Sequence, residues 1–530
     1  MFPPESEEGC IEYKRYLLDD SEEKISKLAT QMRYRCKQGG SECIYNLGVE
    51  DDGTICGITN EEYKKTIKCL KLASEKNEYM ITELTKIKVD ENKNRYEILI
   101  RNYEENNYID VKVAIAGSVN SGKSSFLSVL VTDKADNGRG SARVSVFNFP
   151  HEIATGRTSS IGHQIIGYNK NGEKIKKSSD WSTIVKNSSK IISFFDLAGH
   201  KKYLKTTIRG LSTFQPDMCL ILVAANRGLL PMTKEHILLC ISLNIPFTII
   251  ITKKDLVRDK PKLFKNNIRK LRKYLRSAGI RKFPFLIKNM DTCIQAATHI
   301  KNNTIVPMII LSNVTLDGIP RVHRFLNLFQ KKIRAENISK IEYYIDCIWN
   351  VSGVGTVVGG HLLSGNITVG DKLFIGPCNG NDFKKITIKS IHCKKVPIKF
   401  AKSGSYYCLA IKSDQLKRND IRKGDVIILN PNEQKLKEIF KAKVDILNHS
   451  SSITIGYTPV MHTMSIRCPA RIIDIIDKNN DCSKVKKDNY LRTGDSAVIE
   501  LKLMNGPKYI KSGSNIFLCE GKPRVFGIIL

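Results

Sequence analysis

The stretch VKVAIAGSVNSGKSSFLSVL limits the fold more than any other part of the chain. The apolar run VKVAIA leads into GSVNSGKS (117–124), and an apolar helical run follows. A GxxxxGK(S/T) loop between a strand and a helix points successive backbone N–H groups inward. It cradles phosphate there, and the helix N-terminus adds its dipole. Gly117, Asn120, Ser121, Gly122, Lys123, Ser124 and Ser125 are therefore candidate nucleotide contacts. Lys123 is placed for the β and γ phosphates, and the Ser124 hydroxyl for Mg²⁺.

From YIDVKVAIAG to about residue 335, apolar strands alternate with helical stretches. KIISFFDLAG, MCLILVAAN, PFTIIITKKD and MIILSNV all read as strands. Continuous apolar strands with intervening helices predict a parallel sheet covered on both faces, with ligands at its carboxyl edge. Residues 1–108 read differently. Two capped helices, DSEEKISKLATQMRYRCKQG and TNEEYKKTIKCLKLASEKN, accompany a predicted hairpin in ECIYNLGVEDDGTICGIT and strands YMITELTKIKV and NRYEILIRNY. After about 340, helical periodicity nearly vanishes and short strands with Gly turns take over. The expected architecture is multidomain: an α+β domain (1–108), an α/β P-loop domain (109–335) and two all-β barrels (336–430 and 431–530). GKPRVFGIIL reads as the closing strand of the last barrel.

The strand ends carry the chemistry. TKKD (252–255) suits guanine: an Asp carboxylate accepts from N1–H and the exocyclic amine together, and adenine offers no such pair. Asp255 takes that role, Lys253 lies along the base plane, and Thr252 stands where Asn is more common. SNV (312–314) follows the last strand, with Ser312 as the expected base contact. Asp196, at the end of KIISFFD, is placed to hold Mg²⁺ through a water. The Gly199 amide is placed to bond the γ-phosphate, so that the following segment senses GTP against GDP. Hydrolysis by water needs positioning and charge stabilisation more than covalent chemistry. His200, next to that glycine, is the candidate to orient the attacking water. Thr158 in HEIATGRTSS (151–160) is the candidate second switch residue for Mg²⁺ and the γ-phosphate, and Ser159 or Ser160 could take its place.

The net charge of +32 is unevenly spread. Residues 1–110 hold 17 Lys and Arg against 23 Asp and Glu, while the remainder holds 68 against 30. A body that basic attracts polyanions, RNA first among them. An AT-rich genome would also enrich Lys, Ile and Asn, and charge alone does not separate the two. Fifteen cysteines without a CxxC pair argue against zinc and fit free thiols in a reducing cytosol. No apolar run approaches the ~18 residues of a membrane span, and the acidic start MFPPESEEGC is no secretory signal. DKPKLFKNNIRKLRKYLRSAGIRK (259–282) is a basic helix that could touch RNA or be a solvated face. KKITIKSIHCKKVPIKFAK alternates apolar and basic residues, which predicts one cationic face. His361 and His392 there read as structural.

GSVNSGKS, GRTSS, DLAGH, TKKD and SNV, followed by two barrels, resemble the translational GTPases related to elongation factor Tu. In that group a His follows the DxxG element. ADNGRGSAR (135–143), HEIATGRTSSIGHQIIGYN, DLAGHKKYLKTT, MTKEHILL, SGVGTVVGG, IKSIHCKKVPIK and NLGVEDDGTICGIT are similar to the eukaryotic GTP-binding protein one and two family. The resemblance spans essentially the whole chain. It implies a cytosolic, monomeric GTPase that takes GTP/GDP and Mg²⁺, binds aminoacyl-tRNA in its GTP form, acts at the ribosome, and serves in surveillance or RNA turnover. No DNA or membrane partner is expected. Two alternatives are a GTP-regulated adaptor with RNA-decay protein partners and an initiator-tRNA carrier resembling the γ subunit of initiation factor two. Asn120 stands where elongation factor Tu has Asp, and Arg157 where it has an apolar residue.

Overall fold

The computed structural model describes residues 4–530 except 7–8, 103–107, 148–151, 153–160, 176–179, 301–302, 332–339, 379–381, 414–415, 417, 432–435, 447–451, 479–489 and 521. The N-terminal unit orders as β1 (Ile11–Lys14), α1 (Glu22–Gln38), β2 (Glu42–Leu47), α2 (Asn60–Glu75), β3 (Tyr79–Lys88) and β4 (Asn94–Asn102). Its sheet runs β1-β2-β4-β3. α2 starts at a capping box: the Thr59 hydroxyl accepts the Glu62 amide and the Glu62 carboxylate accepts the Thr59 amide. Met32 and Cys36 from α1 and Leu70 from α2 pack on Tyr45 and Ile98 of the sheet. The hairpin expected in ECIYNLGVEDDGTICGIT does not form as two paired strands. All six residues of β2 are buried between β1 and β4, so its ladder sites are already used, and only an isolated Val49–Ile55 bridge closes the turn.

The second unit holds β5 (Ile109–Gly117), α3 (Lys123–Thr132), β6 (Gly162–Tyr168), α4 (Trp181–Asn187), β7 (Lys190–Asp196), α5 (Leu204–Phe214), β8 (Met218–Ala224), α6 (Pro231–Ser242), β9 (Phe247–Thr252), α7 (Pro261–Leu275), β10 (Phe283–Leu286), α8 (Met290–His299), β11 (Ile305–Ile310) and α9 (Ile319–Leu328). The strand order is β10-β11-β9-β8-β5-β7-β6. The sheet is parallel except for β6, which pairs antiparallel with β7 at one edge. Alternate residues of β5 serve opposite cores. Val111, Val113 and Ile115 face Phe126, Leu127 and Phe325, while Ala114 and Ala116 face Leu204, Ile208 and Ile237. β5 pairs with β7 on one side and β8 on the other, and the chain crosses over β5 between those two strands, so the crevice at its carboxyl end is the switch point of the sheet.

Two six-stranded antiparallel barrels follow. In the first, Lys372–Cys378 closes the ring by pairing with both Asp382–Cys393 and Val426–Ile428. In the second, Lys522–Ile529 pairs with Ile439–Ile446 and closes it. Ile439–Ile446 alternates exposed and buried residues along its whole length, as a barrel wall should.

The units are joined through side chains. Glu42 of the first unit accepts from Lys190 Nζ at 2.6 Å and from Arg101 Nε at 2.9 Å, all three buried. Lys190 also reaches the carbonyls of Asn327 and Phe329. The first barrel docks through Lys394, whose ammonium donates to Asp110 Oδ2 at 2.7 Å, and through a 2.8 Å contact between Lys112 Nζ and His361 Nε2. Burial alone would raise the Asp110 carboxyl, but the Lys394 ammonium overrides it and holds it down to about 2. The cationic face expected in KKITIKSIHCKKVPIKFAK is thus divided. Lys385 and Lys389 are exposed, whereas Lys394 is buried in this ion pair.

Candidate active site

β5 ends in a loop whose shape depends on left-handed residues. Gly117 has φ +141°, and a Cβ there would lie 2.6 Å from the Leu222 carbonyl. Asn120 (φ +62°) is a residue type that tolerates this region, and Gly122 (φ +85°) leads into α3. Lys123 bends back onto the carbonyls of Gly117 and Ser118, each at 3.1 Å. Burial pulls its ammonium below the usual lysine range, and Asp196 opposes that shift. A buried cation here, next to a ring of loop amides, suits a polyphosphate.

Ser124 Oγ donates to Asp196 Oδ2 at 2.8 Å. A hydroxyl and a carboxylate brought together beside the phosphate loop form the oxygen donor set that Mg²⁺ prefers, so these residues fit that ion. Gly199 passes very close to the loop. A Cβ on it would meet Lys123 Nζ at 2.2 Å and the Gly117 carbonyl at 2.5 Å. His200 follows at the cleft wall. Its Nδ1 accepts the Lys202 amide at 3.1 Å, so the neutral ring carries its proton on Nε2 and acts through that edge. Thr207 Oγ1 donates to the Ala198 carbonyl at 2.8 Å, which ties α5 to the turn holding Gly199. α5 in turn touches both barrels. Arg209 pairs with Asp346, and Thr213 Oγ1 donates to the Met464 carbonyl at 3.0 Å.

At the base end, Thr252 is fully buried and its Oγ1 donates to the Ser121 carbonyl at 2.7 Å, so it braces the phosphate loop from β9. Ser312 Oγ donates to Asp255 Oδ1 at 2.6 Å and also receives the amides of Val314 and Thr315. Ser312 therefore aims the Asp255 carboxylate. Asn120, Gly122, Lys123, Ser124, Ser125, Gly199, His200, Lys253 and Asp255 line one cleft. Gly117, Ser121, Asp196, Thr252 and Ser312 lie behind them as support. Thr158 and its neighbours Arg157, Ser159 and Ser160 lie outside the described residues. Asn313, Val314 and Leu256, which sequence reasoning did not assign, also line the cleft. Asn313 and Val314 lie within SNV and Leu256 directly after TKKD, and those places were the available signal.

The elongation factor Tu GTP binding domain family matches residues 110–342, and the GTP-eEF1A C-terminal domain-like family matches 439–512. GTP-binding protein 1 of Xenopus laevis is 34% identical over 525 residues, covering 97% of this chain and 78% of its own. GTP-binding protein 2 of Homo sapiens is 34% identical over 538 residues, covering 99% and 87%. Among solved structures, translation elongation factor SelB from Methanococcus maripaludis, in complex with the GTP analogue GppNHp, superposes with a TM-score of 0.57. It is 18% identical and covers 80% of this chain and 79% of that one.

Proposed function

The chain belongs to the GTP-binding protein 1 and 2 family of elongation factor Tu-type GTPases, and from that premise we infer that it is a GTP-switched carrier of aminoacyl-tRNA acting at the ribosome. It is an enzyme of a family whose members hydrolyse GTP. The observation that carries the reading is the cleft in which phosphate loop, Gly199–His200 and the Asp255 base site converge, with Asp196 behind it on Ser124 and α5 running from it to both barrels. Lys123 binds the β and γ phosphates, and Asp255 with Lys253 takes the guanine. Mg²⁺, held by Ser124 and Asp196, would neutralise charge on the phosphates. Thr158 would supply a further oxygen to that ion in the GTP state. His200 orients the attacking water through Nε2.

Because α5 is fastened to the Ala198 carbonyl, a change at Gly199 moves a helix that both barrels grip. The barrels are thereby presented for RNA in one nucleotide state and withdrawn in the other. Charge supports RNA as the partner. On α7 and at its C-cap, Lys262, Lys265, Arg269, Lys273 and Arg276 recur at helical spacing, and all are exposed. Among the described residues none of the five is in an ion pair with a carboxylate, and Arg276 lies over the exposed ring of Phe283. Such a stripe suits a phosphate backbone. The protein works in the cytosol, as a monomer.

The test is GTP turnover by the purified protein alone, with 80S ribosomes, and with ribosomes plus aminoacyl-tRNA. Strong stimulation only by the two together is expected. Turnover that ribosomes leave unchanged would sink the carrier reading and favour a GTP-regulated adaptor in RNA decay.

A further inference from the structure

The motif ADNGRGSAR has no part in the chemistry assigned so far, yet the fold brings it to the nucleotide cleft. Its loop is built to hold one shape. The Asp136 amide donates to the Asn313 carbonyl at 2.9 Å, fastening the loop to the base-contact segment. Asp136 Oδ1 accepts the Ala142 amide at 3.0 Å. Asn137 Oδ1 accepts the amides of Arg139 and Ser141 at 2.9 and 3.3 Å. Gly138 and Gly140 take φ +79° and +86°, which closes the turn without strain. A Cβ on Gly138 would lie 3.8 Å from Val314.

Held this way, Gly138, Arg139, Gly140 and Arg143 line the cleft together with Lys123, Lys253 and Asp255. Arg143 belongs to the nucleoside end. Its loop is fastened by the Asp136 amide to the Asn313 carbonyl and approaches Val314 through Gly138, both next to Ser312 at the base site. The side chain is half-buried and folds over its own loop, since a Cβ on Gly140 would sit 3.0 Å from Arg143 Nε. Thr252 spends its hydroxyl on the Ser121 carbonyl, which leaves Lys253 and Asp255 as the cleft-lining side chains of TKKD.

We propose that the Asp136–Arg143 loop is a nucleotide-binding element and that Arg143 grips the purine–ribose end of the guanine nucleotide with the plane of its guanidinium. This rests on the GTPase reading above. A guanidinium packs on aromatic faces as a plane, which an ammonium cannot do.

The test is calorimetric titration of GMP, GDP and GTP into the full chain. Arg143→Ala should weaken all three by one common factor, about tenfold. Arg143→Lys keeps the charge but not the plane, and should not restore binding. Unaltered affinity in Arg143→Ala would overturn the proposal. So would a loss that grows from GMP to GTP or is repaired by Lys, because either would make Arg143 a phosphate counter-charge. Lys123→Ala should abolish GDP and GTP binding whatever Arg143 does. A wild-type chain that binds no guanine nucleotide would instead bring down the GTPase reading itself.

Discussion

Lys190 and His200 stand at the two ends of one short stretch, β7 and the turn after it, and they meet two different kinds of interface. At the Lys190 end the N-terminal unit is fastened by buried charge. Lys190, Glu42 and Arg101 share an ion-pair network, and Asn327 closes it by accepting from Lys190 and Arg101. At the His200 end α5 meets the second barrel through an apolar cluster, Leu211 and Phe214 with Phe517, Cys519 and Phe526, and through polar groups, several of them without a bond among the described residues. Ser212 Oγ, His462 Nε2, Thr463 Oγ1 and Ser465 Oγ are buried there without hydrogen-bond partners among the described residues. Opening the first join breaks a network in which Lys190, Arg101 and Glu42 satisfy one another with charge-assisted hydrogen bonds, none of the three being unpaired while it is closed. Opening the second exposes apolar surface but lets water satisfy those four groups, which offsets part of the cost. The comparison suggests a fixed join at the amino edge of the sheet and a separable one at its carboxyl edge, where the nucleotide binds.

The largest expected effect breaks the fixed side. Glu42→Gln leaves Lys190 and Arg101 buried without a counter-charge, and should destabilise the protein by about 3–5 kcal/mol in chemical denaturation. A loss below about 1 kcal/mol would erase the contrast. Next comes His200→Ala, which should leave GDP and GTP affinity intact and lower ribosome-stimulated single-turnover hydrolysis about 100-fold or more. Normal hydrolysis by that variant would remove His200 from the mechanism.

Acid should loosen the separable side. Burial first, then the cations Arg467, Lys205 and Arg209, hold the His462 ring down to about 4. A neutral His of this kind stabilises the closed form fully above its ordinary value of about 6.5. That contribution is lost as pH falls from there towards 4, because the opened form takes up the proton. At pH 5 the loss should be up to about 2 kcal/mol, read as a lower melting temperature than at pH 7. His462→Gln should shrink the difference; an equal difference would assign it elsewhere. The smallest effect is expected from Arg209→Ala. Its pair with Asp346 is partly exposed, and about 1 kcal/mol or less should be lost.

Much of this was legible in the sequence where neighbours in sequence do the work. GSVNSGKS, DLAGH and TKKD each place their own residues at a strand end, and the central strands announce themselves because both faces are buried. Edge strands were harder. β1 and β10 are short and half-buried, so they lack a continuous apolar run, and nothing local marks β6 as antiparallel. Contacts between distant residues were not legible at all. Thr252 bracing Ser121, Ser312 aiming Asp255 and Asp136 fastened to Asn313 arise only when separate strand ends converge. Lys394 makes the same point. Strand alternation says which way a side chain points, but not that Asp110 lies against it.

The central claim is that the nucleotide state of the cleft controls what the barrels hold. It is tested most directly by measuring aminoacyl-tRNA affinity for the protein loaded with a non-hydrolysable GTP analogue and, separately, with GDP, at one fixed salt concentration. The account predicts binding about tenfold or more tighter in the analogue-bound form, a coupling of about 1.4 kcal/mol. Equal affinity in the two forms would contradict it.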